Sequence, residues 1–356
     1  VAVVVGDDRY AVVDAAEDVF VELESLPVVT DPEAALQDGA PLVHDQFGTN
    51  VSSVWGFDKG DSPAPHKSSK PFFDDPDLVK VKMRHRLRRL IPNAMEPRGV
   101  VVEPNVAMGE YTMYTASQIP HIVRTTQAIT TGIAEAKLRV VAPDVGGGFG
   151  SKLETYAEES ICLALARRLN RPIKWTEERS EGYVATIHGR DLYTDMEMAA
   201  TRDGVLKAVR VNVWCAVGAY HQIVTPGIQM LSAWLYGGLY DIEGYDFEYT
   251  NVFTHTTPTD AYRGAGRPEA TYAVERTLDH LARELGMDPA EIRRRNYIPT
   301  ERFPNFTIAS GLTVDSGDYP LTHDAMIAAV GYDDVRREQR ERRERGATKL
   351  IGIGLS

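Results

Sequence analysis

Apolar positions along the chain follow two different periods, and each period predicts a different element. A spacing of about 3.6 residues places apolar side chains on one helix face. It predicts helices over residues 7–17, 122–136, 154–169 and 273–285. A further helix is predicted after Asp288, because Asp stands at the cap position, Pro289 at the first helical position and Glu291 three residues after the cap. The segment 273–285 predicts a long amphipathic helix.

Alternating or short apolar runs predict strands in much of the remaining chain. They occur in residues 1–6, 19–29, 78–115, 138–142, 191–254 and 350–356. Residues 46–72 are polar and rich in Asp, Gly, Ser, Pro and Lys, which predicts a linker or surface excursion. No internal repeat is visible in the sequence. The predicted fold class is α+β.

The two ends of the chain predict a fragment. The sequence begins at Val1 without a methionine or a signal peptide. It stops within the strand-like segment 350–356, whose apolar surface and ladder groups would be left unpaired. We therefore expect a fragment, or one piece of a split polypeptide.

Composition and charge narrow the function classes. The net charge of −12 argues against nucleic acid as the principal partner, and no apolar run reaches the ~18 residues of a membrane span. Arginines in residues 336–345 alternate with glutamates, which predicts a solvated helix face. Cys162 and Cys215 lie in separate apolar segments, and neither has a second cysteine nearby, so protein-ligated iron–sulfur clusters and zinc ribbons are excluded within this chain. Burial is expected for Cys162, which lies in the middle of a predicted helix. The composition suits a reducing cytoplasm.

A glycine-rich loop carries the strongest chemical signal. Four glycines surround Phe149 in residues 144–152, between a predicted strand and a predicted helix. Glycines at such a junction let backbone N–H groups approach an anionic or oxygen-rich ligand, with the helix dipole behind them. Two nucleotide-binding patterns fail, because Ser151 separates the last glycine from Lys152 and occupies the third-glycine position of the dinucleotide motif. A turn that merely lets the strand and helix pack remains open.

Three other segments combine small residues with a few polar anchors. Glu96 lies between Met and Pro, and is expected to be either partly desolvated or in an ordinary pair with Arg98. Gln118 precedes a helix start led by proline, and either projects its amide toward a ligand or is a surface residue near a helix cap. Residues 261–267 contain two glycines and two arginines, which indicates close backbone approach with cationic reach.

Together, and in this order, the four motifs resemble the molybdenum-binding subunit of the xanthine dehydrogenase / aldehyde oxidase family, which includes aerobic carbon monoxide dehydrogenase large subunits. The motifs are Met95-Glu96-Pro97-Arg98, Gln118-Ile119-Pro120-His121, Gly146-Gly147-Gly148-Phe149-Gly150 and Ala261-Tyr262-Arg263-Gly264-Ala265-Gly266-Arg267. The resemblance extends over nearly the whole chain. It implies the end of an α/β-hammerhead-like domain over 1–45, the linker over 46–72, a first molybdopterin-binding domain over 73–330 and the incomplete start of a second over 331–356.

The resemblance implies a cofactor in which the dithiolene of a pterin holds molybdenum, in the cytosine dinucleotide form and with no direct protein ligand to the metal. Gln118 would hydrogen-bond the apical oxo ligand, while Glu96 and Arg263 would lie on the substrate side. The two glycine-containing loops would hold the cofactor through Gly147, Gly148, Phe149, Gly150, Arg263, Gly264, Ala265, Gly266 and Arg267. The family's general-base glutamate is expected outside this chain.

The implied reaction is hydroxylation of a small carbonyl or heterocyclic substrate with water as the oxygen source, in the cytoplasm. One alternative is an aerobic carbon monoxide dehydrogenase large subunit, although Gly264 stands where the copper-containing members have a cysteine. Another is a non-catalytic structural subunit of such a complex. Electrons would pass to a small subunit with 2Fe-2S clusters and a medium subunit with FAD. The implied assembly is a dimer of heterotrimers that includes the remainder of the large subunit.

Overall fold

The computed structural model describes residues 2–57 and 67–356, which form a mixed α+β fold as the sequence predicts. The helices in this part of the chain are α1 (Arg9–Glu17), α2 (Pro32–Ala35), α3 (Lys70–Asp74), α4 (Pro120–Thr131), α5 (Ala157–Leu169), α6 (Arg179–Ala185), α7 (Ile228–Ala233), α8 (Arg267–Glu284), α9 (Pro289–Asn296), α10 (Tyr319–Val330) and α11 (Tyr332–Glu344). The strands are β1 (Val51–Gly56), β2 (Val79–Leu87), β3 (Gly99–Asn105), β4 (Glu110–Thr115), β5 (Leu138–Val141), β6 (Ile173–Thr176), β7 (Leu192–Ala200), β8 (Leu206–Gly218), β9 (Gly244–Phe253), β10 (Phe306–Thr307) and β11 (Thr313–Val314).

The larger sheet has five strands in the order β1-β9-β8-β7-β2, and α8 packs across it. Its neighbouring strands are antiparallel except for β8 and β9, which are parallel. Met196 and Met198 of β7 share an apolar core with Leu278 and Leu281 of α8, and all four are fully buried. Burying each such side chain stabilises the fold by about 1.5–3 kcal/mol. The buried face of α8 confirms the predicted long amphipathic helix.

The smaller sheet has the order β5-β4-β3-β6, with only β4 and β5 parallel. Helices α4 and α5 contribute to its separate apolar core, in which Val102 and Met113 of the sheet meet Val123 of α4 and Leu163 of α5. Cys162 is buried in the same core, as predicted. Because β5 is an edge strand, the glycine loop that follows it leaves the sheet at its margin.

Local signals place some helix ends correctly, but α4 ends at Thr131 rather than at the predicted 136, and α8 begins at Arg267 rather than at the predicted 273. The Asp288 side chain accepts a hydrogen bond from the Ala290 N–H at 2.8 Å, which confirms the predicted start of α9. The C-cap of α4 is Gly132, whose φ of 68° is the left-handed conformation that glycine adopts readily. Helix α11 confirms the predicted charged helix, because Arg342 pairs with Glu338 one turn earlier.

The predicted strands at the two ends of the chain are wrong for the described residues. Residues 2–6, 19–29 and 350–356 contain no strand, because no neighbouring segment there supplies a hydrogen-bonding ladder. Apolar side chains such as Phe20 and Leu23 are consequently exposed, at 87% and 83%. An alternating pattern shows that a segment fits a sheet, but the sheet itself requires a partner.

The predicted linker over 46–72 also needs correction. Strand β1 lies within it and pairs with β9 at the edge of the larger sheet. Serines at two of its positions dilute the apolar pattern that marks strands elsewhere in the chain. Residues 58–66 of the predicted linker lie outside the described residues, as does Val1 of the first predicted strand. Within the described ranges, no helix combines the length and the apolar character that crossing a membrane requires.

Candidate functional site

Glu96 is bonded to the start of the glycine loop, residues 144–152. Its Oε2 accepts hydrogen bonds from the Gly146 N–H at 2.8 Å and from Nζ of the buried Lys152 at 2.7 Å. Burial acts to raise the pKa of Glu96, but these hydrogen bonds and the lysine charge outweigh it, so the pKa lies below its usual value. Arg98 instead pairs with Glu177 at 2.6 Å, so the ordinary Glu96–Arg98 pair considered from the sequence is not formed.

Gln118 is bonded to the far end of the same loop. Its Oε1 accepts the Gly150 N–H at 3.0 Å, and its own backbone N–H donates to the Lys152 carbonyl at 2.8 Å. The Gly150 donor identifies which side-chain atom is oxygen, so the opposite Nε2 is a donor. That Nε2 has no acceptor among the described residues, and the side chain is exposed. A Cβ at Gly148 would collide with this amide, which explains the glycine there.

The loop of residues 261–267 lies directly against the glycine loop. The Arg263 N–H donates to the Phe149 carbonyl at 2.9 Å, and the exposed Arg263 guanidinium lies 5.9 Å from the Phe149 ring centroid. A Cβ at Gly150 would overlap the Ala261 carbonyl, so the two backbones approach as closely as glycine allows. All four sequence motifs therefore meet at one place.

Both loops contain residues in the left-handed backbone region. The non-glycine members are Phe149 at φ 54° and Ala265 at φ 26°, and the glycines are Gly147, Gly150, Gly264 and Gly266. Such conformations cost a non-glycine residue about 1–2 kcal/mol, and they concentrate at ligand sites. The turns leave several N–H groups without an acceptor in the described part of the chain, namely those of Gly148, Phe149, Gly264 and Gly266. Gly150, Ala265 and Arg267 use theirs within the protein.

The helix dipole behind the site is not the one that the sequence predicted. Helix α5 begins only at Ala157, and the Glu159 carboxylate caps its start by accepting the Tyr156 N–H at 3.1 Å. Helix α8 begins at Arg267, directly after the second loop, and its Gly266 cap supplies no side-chain hydrogen bond. The helix start at this site therefore belongs to α8.

Arg190 is a site residue that sequence reasoning missed. It donates to the carbonyls of Tyr262 and Arg263, both at 2.9 Å, and pairs with buried Glu269 of α8 at 3.1 Å. It thereby joins the second loop to the helix that follows it. The sequence gave no indication of this role, because Arg190 is a single arginine before a strand and belongs to no motif. Among the described residues no cluster of three or more His, Cys, Asp or Glu side chains is placed to hold a metal ion.

Comparison with known proteins identifies the family. Residues 43–297 match the molybdopterin cofactor-binding domain. The whole chain aligns with 45% of the carbon monoxide dehydrogenase large chain of Hydrogenophaga pseudoflava, at 38% sequence identity. It also aligns with 42% of the nicotine 6-hydroxylase large subunit of Paenarthrobacter nicotinovorans, at 31% sequence identity.

A solved structure shows the same fold. The crystal structure of quinoline 2-oxidoreductase from Pseudomonas putida 86 superimposes with a TM-score of 0.87 and 33% identity, over 95% of this chain and 42% of that one. The chain thus spans less than half the length of the relatives it matches. This chain belongs to the molybdopterin-dependent oxidoreductase family, among the molybdopterin-binding large subunits of the xanthine dehydrogenase, aldehyde oxidase and carbon monoxide dehydrogenase group.

Proposed function

We propose that this chain forms one wall of the cofactor site in a molybdenum hydroxylase that oxidises a small carbonyl or N-heterocyclic substrate. The observation that carries the proposal is the convergence of unpaired donors: Nε2 of Gln118, the backbone N–H groups of the two loops and the exposed Arg263 guanidinium. Donors without acceptors suit an oxygen-rich, anionic group. A molybdenum–pterin cofactor supplies the two-electron redox chemistry when it is bound.

The residues of this chain position the cofactor in the proposal. The Oε1 of Gln118 is held by Gly150, so its Nε2 would be oriented to donate to an oxygen of the cofactor. The free N–H groups of Gly148 and Phe149 would hold the cofactor, whereas that of Gly150 would not, since Gln118 already occupies it. Glu96 acts indirectly, because its carboxylate is engaged by Gly146 and Lys152. It fixes the glycine loop rather than contacting the substrate.

Substrate class follows from relatives and from the cysteines. Nicotine 6-hydroxylase and quinoline 2-oxidoreductase are named for N-heterocyclic compounds, which supports a heterocycle or a related carbonyl. Carbon monoxide is the second candidate, since the carbon monoxide dehydrogenase large chain is 38% identical. However, Cys162 and Cys215 are buried in the two cores, where burial raises both thiol pKa values to about 12. Neither supplies a thiolate for Cu(I) at the loop of residues 261–267.

Partners and location complete the proposal. The redox partners are a subunit with 2Fe-2S clusters and a subunit with FAD, in a cytoplasmic dimer of heterotrimers. The cofactor is the cytosine dinucleotide form, and the general base comes from the remainder of the large subunit. The domain limits at 45, 72 and 330 also belong to the proposal.

The test is analysis of the complete enzyme purified with its partner subunits. We expect about one molybdenum and one pterin dinucleotide per large subunit, and reduction of a dye acceptor by aldehydes or N-heterocycles. Copper bound with molybdenum, together with oxidation of carbon monoxide, would select the second candidate. A fully assembled complex without molybdenum would contradict both and leave the structural subunit.

A further inference from the structure

Two buried carboxyl groups lie behind the candidate site and outside its known motifs. Glu154 follows the glycine loop, and Asp260 immediately precedes the loop of residues 261–267. Their residues are only 1% and 3% exposed, and the two side chains bind adjacent backbone positions, the N–H groups of Ile223 and Val224. Isolated buried carboxylates are costly, and two together are more so. The arrangement therefore requires a compensating feature.

The hydrogen bonds of the two groups differ. Asp260 accepts from the N–H groups of Val224, at 3.1 Å, and Ala261, and from the Thr225 hydroxyl at 2.7 Å. Glu154 accepts only the Ile223 N–H, at 3.1 Å, through Oε2. Its Oε1 is buried and has no hydrogen-bond partner within the described residues. Asp260 is thus arranged as an acceptor, and Glu154 has one oxygen free to carry a proton.

Among the described residues around the pair, no lysine or arginine is left to neutralise it. Lys152, two residues before Glu154, is paired with Glu96, and Arg98, in the same small cavity as Glu154, is paired with Glu177. Tyr156 faces Glu154, and burial raises the pKa of its hydroxyl far above neutrality. His221 faces Asp260, and burial together with His44 lowers its pKa, so the imidazole is neutral at pH 7. Burial and the Asp260 charge correspondingly raise the pKa of Glu154 to about 8.

We propose that Glu154 and Asp260 share a single proton, held on Oε1 of Glu154 and donated to Asp260, and that this bond fixes the two cofactor loops relative to each other. The pair also holds residues 223–225, because Glu154 accepts the Ile223 N–H while Asp260 accepts the Val224 N–H and the Thr225 hydroxyl. Both are positioning residues, and their effect on the cofactor rests on the function proposed above. Loss of the proton to solvent places two negative charges side by side and separates the loops.

The consequence for stability has a definite sign. Glu154 has a folded pKa of about 8, above the ordinary value of 4.5 that holds in the unfolded chain. Between these values the folded state binds more protons than the unfolded state, so stability falls as the pH rises and levels off above pH 8. Glu154→Gln replaces the shared proton with an amide N–H that donates at every pH, whereas Glu154→Leu removes the bond altogether.

The experiment uses the assembled enzyme and both variants. We would measure the melting temperature and the molybdenum retained after gel filtration at about pH 6 and about pH 9. The wild type should lose several degrees and much of its molybdenum at the higher pH. The melting temperature and the molybdenum content of Glu154→Gln should differ little between the two pH values. Glu154→Leu should retain little molybdenum at both pH values. A Glu154→Gln enzyme with the pH dependence of the wild type would overturn the proposal.

An infrared measurement on the wild type covers the case in which Glu154→Gln does not fold. The difference spectrum between the two pH values should contain the C=O band of a protonated carboxyl group that disappears near pH 8, and its absence would also overturn the proposal. A wild-type complex without molybdenum at any pH contradicts the proposed function instead. The melting temperatures and the infrared band then still decide whether the acid pair exists.

Discussion

At the scale of single residues, the candidate site depends on side chains that use one polar atom for the protein and leave another for a ligand. Gln118 is the clearest example, because its carbonyl oxygen is held by Gly150 while its Nε2 stays free. The family resemblance implied that the amide is a donor to the cofactor, but the sequence did not predict the hydrogen bond that orients it. Arg190 is different, because its guanidinium donates to protein carbonyls of the loop of residues 261–267. Any residue has a backbone carbonyl, so the sequence gives no indication of such a contact.

Replacing Gln118 with alanine should slow turnover more than it destabilises the protein. A hydrogen bond to a charged group contributes about 1.5–3 kcal/mol, so kcat should fall roughly 10- to 100-fold. The side chain is exposed, so the free energy of unfolding should fall by only about 1 kcal/mol. Steady-state kinetics and thermal unfolding of the complete enzyme measure the two effects. Gln37→Ala, another exposed glutamine, is the control, and an unchanged kcat in Gln118→Ala would refute the role.

Replacing Glu96 with glutamine should remove a contact that holds the glycine loop, and so lower the free energy of unfolding above about pH 4.5. The folded pKa of Glu96 lies below its unfolded value, so the stability it provides is complete above 4.5 and is lost as the pH falls through the folded pKa. The variant leaves Lys152 buried without a carboxylate. The cost should be about 1–2 kcal/mol, less than for a fully buried pair, because the Glu96 side chain is 41% exposed. Denaturant unfolding at several pH values should show a difference that shrinks in acid, and a constant difference would contradict the assignment.

At the scale of elements, the glycine loop is shaped by what lies against each glycine. Gly146, Gly148 and Gly150 face Glu96, Gln118 and Ala261 in turn, so each contacts a different segment. The resemblance of the four motifs to the family implied that these segments belong together. It could not predict that the N–H of Gly150 is consumed by Gln118, or that Glu154 and Asp260 meet behind the loop. Contacts between residues far apart in sequence leave no local pattern.

Gly150→Ala should therefore be more damaging than an alanine at another glycine with positive φ. A new Cβ at Gly150 overlaps the Ala261 carbonyl, which is backbone and cannot rotate away. Gly109 provides the matched control, because its φ of 61° is also unfavourable for alanine but nothing lies within 4 Å of a Cβ there. Gly109→Ala should cost about 1–2 kcal/mol and keep its molybdenum. Gly150→Ala should be less stable than that control and lose cofactor, as measured by metal analysis, and full occupancy would contradict the loop assignment.

At the scale of the whole molecule, the site lies between two cores. The glycine loop leaves β5 at the edge of the smaller sheet, and the loop of residues 261–267 leads into α8 on the larger one. Long periodic segments made the main helices of both cores predictable from the sequence, because burial imposes the period. The end segments were mispredicted for the complementary reason: they have the period of strands, but no partner strand lies beside them in the described residues.

Because the two loops leave different cores, a ligand held by both should slow their exchange together. If the free cofactor concentration is a thousand times its Kd, binding stabilises the closed, cofactor-binding form of the site by about 4 kcal/mol relative to the open form. Amide exchange through the opening that releases it then slows by about the same thousandfold. Hydrogen exchange with mass spectrometry can compare the loaded enzyme with enzyme from cells unable to make the cofactor. Without cofactor, residues 144–152 and 261–267 should exchange faster, while β8 in the larger core stays unchanged. Faster exchange in one loop alone would mean that the cofactor contacts only one core, and the bridging site would be wrong.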